Sequence, residues 1–185
     1  PAGGVEPAFG TNPIAFGFPT NTYPITFDMA SSAITWYGLV RAKTLGLKLP
    51  KNVAIDHNGN ITTDPDKAMS GGGVLPFDRS YKGSGLALAV EMLAGVLTGS
   101  SFVFDHGDWG TTFIAFDPEL LIGSGEFKKN ASKLIKKVKN GKSSTGHSIH
   151  IPGYDNESKI LRALDNGSIN IDPNIFNELR ALLKC

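Results

Sequence analysis

A mixed, mainly antiparallel β-sheet with helices packed over it is the fold class this sequence predicts, and three observations lead there. Short runs with large residues at alternate positions read as strands, longer runs with apolar residues three and four apart read as helices, and the two kinds follow one another without strict alternation. The 185 residues suffice for one core, and 41% hydrophobic with 19% charged residues is ordinary globular composition. One compact unit is expected.

Taken in order, Gly10-Thr11-Asn12-Pro13 either shapes a turn or faces a ligand through its hydroxyl and amide. Ile14, Phe16 and Phe18 then alternate with small residues between Pro13 and Pro19, predicting a strand. A second strand runs from Ile25 to Met29 and carries Asp28 near its end. Strand ends that lead into helices are common ligand positions in α/β proteins, although Asp28 would serve a turn or cap equally well. Ser31-Ser32 is expected to cap a helix from Ala33 to Lys43, closed by Gly46 and Pro50.

Val53 to Asp56 and Ile61 to Thr63 flank His57-Asn58-Gly59-Asn60, a hairpin whose Asn-Gly pair suits positive φ. Asp64-Pro65 reads as N-cap and first turn of a short helix, and Gly71-Gly72-Gly73 as a break. Leu86 to Leu97 is apolar on nearly every face and predicts a buried helix. Lys82 with Gly83 to Gly85 stands before it. The free N–H groups and positive dipole end of such a helix favour an anion, so a phosphate or carboxylate there is one reading and a plain glycine turn the other.

Beyond that helix, Asp105-His106-Gly107-Asp108 reads as a polar loop, because adjacency alone does not make side chains converge. Thr112 to Phe116 alternates as a strand, and Asp117-Pro118-Glu119 starts a helical turn. Phe127, Ala131, Leu134, Ile135 and Val138 line one helical face, with seven lysines from Lys128 to Lys142 on the remainder. A solvated face suits that helix better than a nucleic-acid site, since it has no interleaved aromatics and the whole chain has a net charge of only +1. Short strands at Ser148 to Ile151 and Ile169 to Ile171, a helix through Ile160 to Leu164 stopped by Asn166-Gly167, and a last helix opened by Asp172-Pro173 complete the chain.

Several function classes drop out. The single cysteine, Cys185, excludes an internal disulfide framework and favours a reducing compartment. No apolar run approaches the length of a membrane span, and nothing near His57 has metal-ligand spacing, so neither membrane nor metal is expected. The Walker phosphate loop is absent, and Gly83-Ser84-Gly85-Leu86-Ala87-Leu88 lacks the third glycine of the dinucleotide fingerprint. Pro1-Ala2-Gly3-Gly4 looks like a loop cut from something longer.

Joint order is more telling than any single motif. Gly10-Thr11-Asn12-Pro13-Ile14-Ala15, Asp28-Met29-Ala30-Ser31-Ser32, Leu49-Pro50, Thr62-Thr63-Asp64-Pro65, Lys82-Gly83-Ser84-Gly85-Leu86, Phe113-Ile114-Ala115 and Ile151-Pro152-Gly153 follow one another as in the type 2 malate/L-lactate dehydrogenase family, which the chain resembles over nearly its whole length. The resemblance implies a non-Rossmann fold of the L-sulfolactate dehydrogenase type and an oxidoreductase that moves a hydride between NAD or NADP and a small 2-hydroxy or 2-oxo acid. By the same resemblance the cofactor contacts are Ile25, Thr26, Phe27, Asp28, Met29, Ala30, Tyr81, Lys82, Gly153, Tyr154 and Asp155, with Thr11 and Asn12 near the substrate.

Members of that family carry a Ser-His-Gly segment whose histidine handles the substrate proton, and this chain has none. Residues 1–185 therefore look like the C-terminal portion of such an enzyme, without its own catalytic residues. The implied setting is cytoplasmic, as a homodimer that also associates with the missing N-terminal half, with no nucleic-acid or membrane partner. The rival reading is a nucleotide-binding module of the same fold without catalysis.

Overall fold

The computed structural model describes residues 1–100, 102, 107–153 and 156–183. It is mixed α/β, with two small sheets and helices, as the sequence predicts. The chain separates into two compact units rather than the expected one: Pro1–Phe16 with Phe27–Leu121, and Gly17–Thr26 with the chain from Ile122 onward. Strands β1 (Pro13–Phe18) and β2 (Ile25–Ala30) pair as a two-stranded sheet, and the unit boundary falls inside both.

In the first unit, β3 (Ala54–Ile55) lies between β4 (Ile61–Thr62) and β5 (Gly73–Val74), antiparallel to each. Gly71 to Gly73, expected as a break, contributes Gly73 to β5. A glycine is needed at 72 because a Cβ there would lie 2.2 Å from the Ile55 carbonyl oxygen. At the hairpin, Gly59 supplies the positive φ, and the Asp56 carboxylate accepts the N–H groups of Asn58 and Asn60, both at 2.9 Å. Those bonds, chiefly the one from the Asn60 backbone, hold the Asp56 carboxyl below its usual range.

Helix α1 (Trp36–Thr44) starts three residues later than predicted, because its cap is Thr35, whose hydroxyl accepts the Gly38 N–H at 3.0 Å. Ser31 and Ser32 serve otherwise: Ser31, almost fully buried, donates its hydroxyl to the Thr11 carbonyl, and Ser32 donates to that of Ile34. Replacing Thr35 by alanine should therefore cost about 1 kcal/mol in a denaturant titration. A neutral Thr35→Ala would mean that the cap lies elsewhere. Helix α2 (Pro65–Met69) has the predicted cap, Asp64, which accepts the Asp66 N–H at 2.9 Å.

The core of this unit is small. Leu39, Ala42, Leu49, Val53, Ala54 and Ala68 are buried together, with Ile34, Met69 and Val74 packed on their margin. Helix α3 (Tyr81–Glu91) starts earlier than predicted, capped by Ser80, and continues as a π-helical stretch over Met92–Val96. The burial predicted for it fails. Gly83, Ala87 and Gly95 are buried, but Leu88, Met92 and Leu97 stand 50%, 52% and 68% exposed. Among the described residues its small-residue edge is buried, Leu86 and Val90 are half-buried, and Leu88, Met92, Leu93 and Leu97 are left largely uncovered.

The segment after it departs from prediction in the same way. Thr112 to Phe116 forms no strand, since alternation makes a strand only where another backbone pairs with it. Phe113 and Phe116 are 91% and 83% exposed. The segment is nevertheless anchored: Thr112 donates its hydroxyl to the Leu93 carbonyl at 2.5 Å, and a Cβ on Gly110 would collide with the Ala94 carbonyl. Asp117 caps the predicted turn at Pro118–Leu120.

In the second unit, α4 (Ser124–Lys139) buries Ile135 and keeps Lys129, Lys133, Lys136 and Lys137 exposed, with Lys129 paired to Glu126 at 3.1 Å. Leu134, predicted for the apolar face, is 61% exposed. The Ser132 hydroxyl accepts the Asn21 N–H at 3.1 Å. Helices α5 (Asn156–Asn166) and α6 (Pro173–Leu182) follow, the first stopped at Gly167 and the second capped by Asp172 as predicted. The strands predicted at Ser148 to Ile151 and Ile169 to Ile171 do not form, for want of a paired backbone, although Ile151 is buried.

Candidate functional site

The sequence-predicted site residues fall into three groups according to what their side chains already do. Asp28 on β2 and Lys82 in the first turn of α3 are exposed, and neither side chain makes a hydrogen bond or ion pair with another described residue. Tyr81 beside Lys82 is 75% exposed. On the same strand Phe27 stacks on Phe16 of β1, ring centroids 6.3 Å apart and planes 14° from parallel, while Met29 and Ala30 are half-buried. Within this group, the acid and the amine carry the charges left unpaired among the described residues.

Asn12 and Thr11 form the second group, and they are built into the scaffold. Asn12 takes a positive φ of 38° and donates its amide to the Ala87 carbonyl at 2.9 Å and to the Glu91 carboxylate at 2.7 Å, so it holds α3. The Thr11 carbonyl accepts the Ser31 N–H at 2.9 Å. Thr11 also lines a cavity of about 290 Å³ in the first unit, together with Phe9, Ser31, Trp36, Leu75 and Ala87. That is the lower end of small-ligand volumes. Among the described residues its lining contains no lysine or arginine, and of the predicted site residues that are described only Thr11 reaches it.

Because the Asn12 amide sits on a carboxylate, Asn12→Asp should place two acids at hydrogen-bond distance. The expected penalty is on the order of 2 kcal/mol near neutral pH, from the lost donor and the new repulsion. Thermal melts of the variant should approach wild type as acid protonates one of the pair. Equal melting temperatures at pH 7 would contradict the contact.

The third group belongs to the second unit. Gly153 has a positive φ of 79°, and a Cβ on it would lie 2.3 Å from the Thr26 hydroxyl oxygen and 2.7 Å from the Thr26 nitrogen. Glycine alone lets the Pro152-Gly153 turn come against β2, so the structure brings Gly153 and Thr26 together from distant parts of the sequence. Tyr154, Asp155 and the Asp105-His106 pair lie outside the described residues.

One expectation is corrected at the start of α3. The Lys82 and Gly83 N–H groups do not stand open for an outside anion, because the chain itself supplies their acceptors. Asp78 accepts the Gly83 N–H at 3.0 Å and the Ser80 N–H at 3.0 Å, and Ser80 accepts the Lys82 N–H at 3.2 Å. The Ser80 hydroxyl also donates to Asp78, and this bond above all holds the Asp78 carboxyl below its usual range. Sequence reasoning missed Asp78. The signal was an acid five residues before Gly83, beyond the usual capping spacing.

Among the described residues no group of three or more His, Cys, Asp or Glu is placed to hold a metal ion. None of the helices formed by those residues is long and apolar enough to cross a membrane.

Comparison with known proteins gives these features a family. The L-sulfolactate dehydrogenase of Methanocaldococcus jannaschii is 36% identical over 190 residues, covering 98% of this chain and 54% of that protein. The solved structure of sulfolactate dehydrogenase from that organism aligns with TM-score 0.78 over 100% of this chain and 55% of its own. The δ1-piperideine-2-carboxylate reductase of Pseudomonas syringae aligns with TM-score 0.80 at 32% identity, over 98% of this chain and 56% of its own. Malate dehydrogenase of Pyrococcus horikoshii is 35% identical over 155 residues, 77% of this chain and 43% of that protein. The chain thus spans about half the length of the sulfolactate dehydrogenase and of the reductase, the two proteins that it matches along nearly its whole length. The malate/L-lactate dehydrogenase family model matches residues 1–180, and this chain belongs to that family.

Proposed function

We propose that the chain supplies most of the nicotinamide-cofactor site of an oxidoreductase that interconverts a small 2-hydroxy acid and its 2-oxo acid, such as malate or lactate, using NAD or NADP. The observation that carries this reading is the division of labour among polar groups. Asp78, Asn12 and Ser31 are engaged by the fold, whereas Asp28 and Lys82 are exposed with no partner among the described residues. A carboxylate suits ribose hydroxyls and a flexible amine suits a phosphate or a substrate carboxylate, so the donor set fits a dinucleotide.

In the first unit the proposed contacts are Phe27, Asp28, Met29, Ala30, Tyr81 and Lys82, and in the second Ile25, Thr26 and Gly153. Tyr154 and Asp155 belong to the same proposal through their place after Gly153. Thr11 is proposed as a substrate contact, supported by its position on a cavity of small-ligand size. Asn12 would act there by holding α3. The bound nicotinamide supplies the hydride, and these residues bind and orient it.

The whole protein is proposed to be a cytoplasmic homodimer in which a family N-terminal half completes the site. Exposed Trp109 at 93%, Phe113 at 91% and Phe116 at 83% support a covering partner, because apolar area of this extent is rarely left in water. The absence of a Ser-His-Gly segment keeps a second reading in view, a nucleotide-binding module without catalysis. Titration with NADH and NADPH tests the shared claim, since saturable binding is expected and its absence would overturn both readings. Substrate-dependent oxidation after addition of a family N-terminal half separates them.

A further inference from the structure

The segment that leads into α3 is bonded on one side to the end of β2 and on the other to α3 itself. The Ala33 N–H donates to the Leu75 carbonyl at 2.7 Å, the Phe77 N–H to that of Ser31 at 2.9 Å, and Ser32 pairs with Pro76 as an isolated antiparallel bridge. Arg79, at a positive φ of 58°, donates its Nε to the Asn52 carbonyl at 2.9 Å and its Nη1 to that of Phe77. This loop is a brace between the two first-unit segments read above as cofactor contacts.

At its centre lies Asp78. Its carboxylate accepts from residues on both sides of the Tyr81-Lys82 pair, from Ser80 before it and Gly83 after it. The fit is close, for a Cβ on Gly83 would stand 2.5 Å from the Asp78 oxygen and 2.8 Å from the Pro76 Cβ. We propose that Asp78 is a positioning residue for cofactor binding: by clamping Ser80 and Gly83 it fixes the backbone from which Tyr81 and Lys82 project, relative to the end of β2. Its negative charge also occupies the positive end of α3, so the Lys82 amine rather than the helix N–H groups meets the anionic ligand. The proposal rests on the reading of Lys82 as a cofactor contact.

The test uses the 185-residue chain, with NADH binding followed by nicotinamide fluorescence and amide exchange followed by mass spectrometry across residues 78–88. Asp78→Ala should weaken NADH binding at least about tenfold and speed exchange at Lys82, Gly83 and Ser84, with the peptides of α1 and α2 still protected. Asp78→Asn keeps an oxygen acceptor and should restore most of both. Ser80→Ala, which removes a single side chain of the clamp, should give a smaller loss in the same direction and serves where Asp78→Ala fails to fold. Wild-type NADH affinity in Asp78→Ala, no loss in Ser80→Ala, or an Asp78→Asn no better than Asp78→Ala would each overturn the role. If the wild-type chain binds no NADH, the cofactor reading fails, and exchange at residues 82–84 alone decides the clamp, unchanged rates overturning it.

Discussion

Given NADH or NADPH with oxaloacetate or pyruvate, the 185-residue chain by itself is expected to show no measurable turnover. Reduction of a 2-oxo acid needs a hydride on carbon and a proton on oxygen, and a positioned acid–base group contributes on the order of 10²–10⁴ to such a step. The chain has four histidines but no Ser-His-Gly segment. His57 stands exposed beside the Asn58-Gly59 turn, His147 and His150 are exposed, and His106 lies outside the described residues. No imidazole among the described ones lines the cavity. Adding a family N-terminal half, folded with this chain, should raise the rate by at least that factor and quench the binding of apolar dyes to the exposed surface of α3 and residues 109–121. Robust turnover by the chain alone would contradict the proposal that a family N-terminal half supplies the proton-handling group.

The second large effect is expected at Gly153. Valine there would have to hold a positive φ, costing about 1–2 kcal/mol, and would force its Cβ into the Thr26 backbone, where overpacking typically costs a further 1–3 kcal/mol. The combined loss, roughly 2–5 kcal/mol, should fall on the turn against β2 and appear in thermal melts as a lowered transition. NADH binding should weaken with it, because Thr26 and Gly153 are both proposed contacts. A Gly153→Val chain with wild-type stability would show that the turn does not rest on Thr26.

How far the sequence can be read depends on how local the cause is. The caps at Asp64, Asp117 and Asp172 were legible because an acid followed by proline carries its own geometry, acceptor and fixed φ together. Asp78 was not, because its partner Gly83 is reached around Arg79 in a positive-φ conformation that no short pattern specifies. Strands are less local still. Thr112 to Phe116 and Ser148 to Ile151 have the right alternation, yet a ladder exists only where a second backbone arrives, and none does among the described residues.

The burial predicted for α3 failed for a related reason. Apolar composition on every face says that a helix needs covering, not that this chain contains the cover, and Leu88, Met92 and Leu97 remain in solvent. Asp28 and Lys82 were legible in position, as charges on a strand end and at a helix start, while their part in a site stays a proposal. That Asn12 would be consumed by Glu91 was not, since the two lie 79 residues apart.

The Lys82 amine is proposed to meet the anionic cofactor, and one titration tests this most directly: NADH into wild-type chain and into Lys82→Ala, at low salt. Lys82 is exposed, so the substitution should leave the thermal midpoint unchanged while weakening NADH binding by about tenfold or more, the loss of one charge-assisted hydrogen bond. Equal NADH affinity in the two proteins, both folded, would contradict the account.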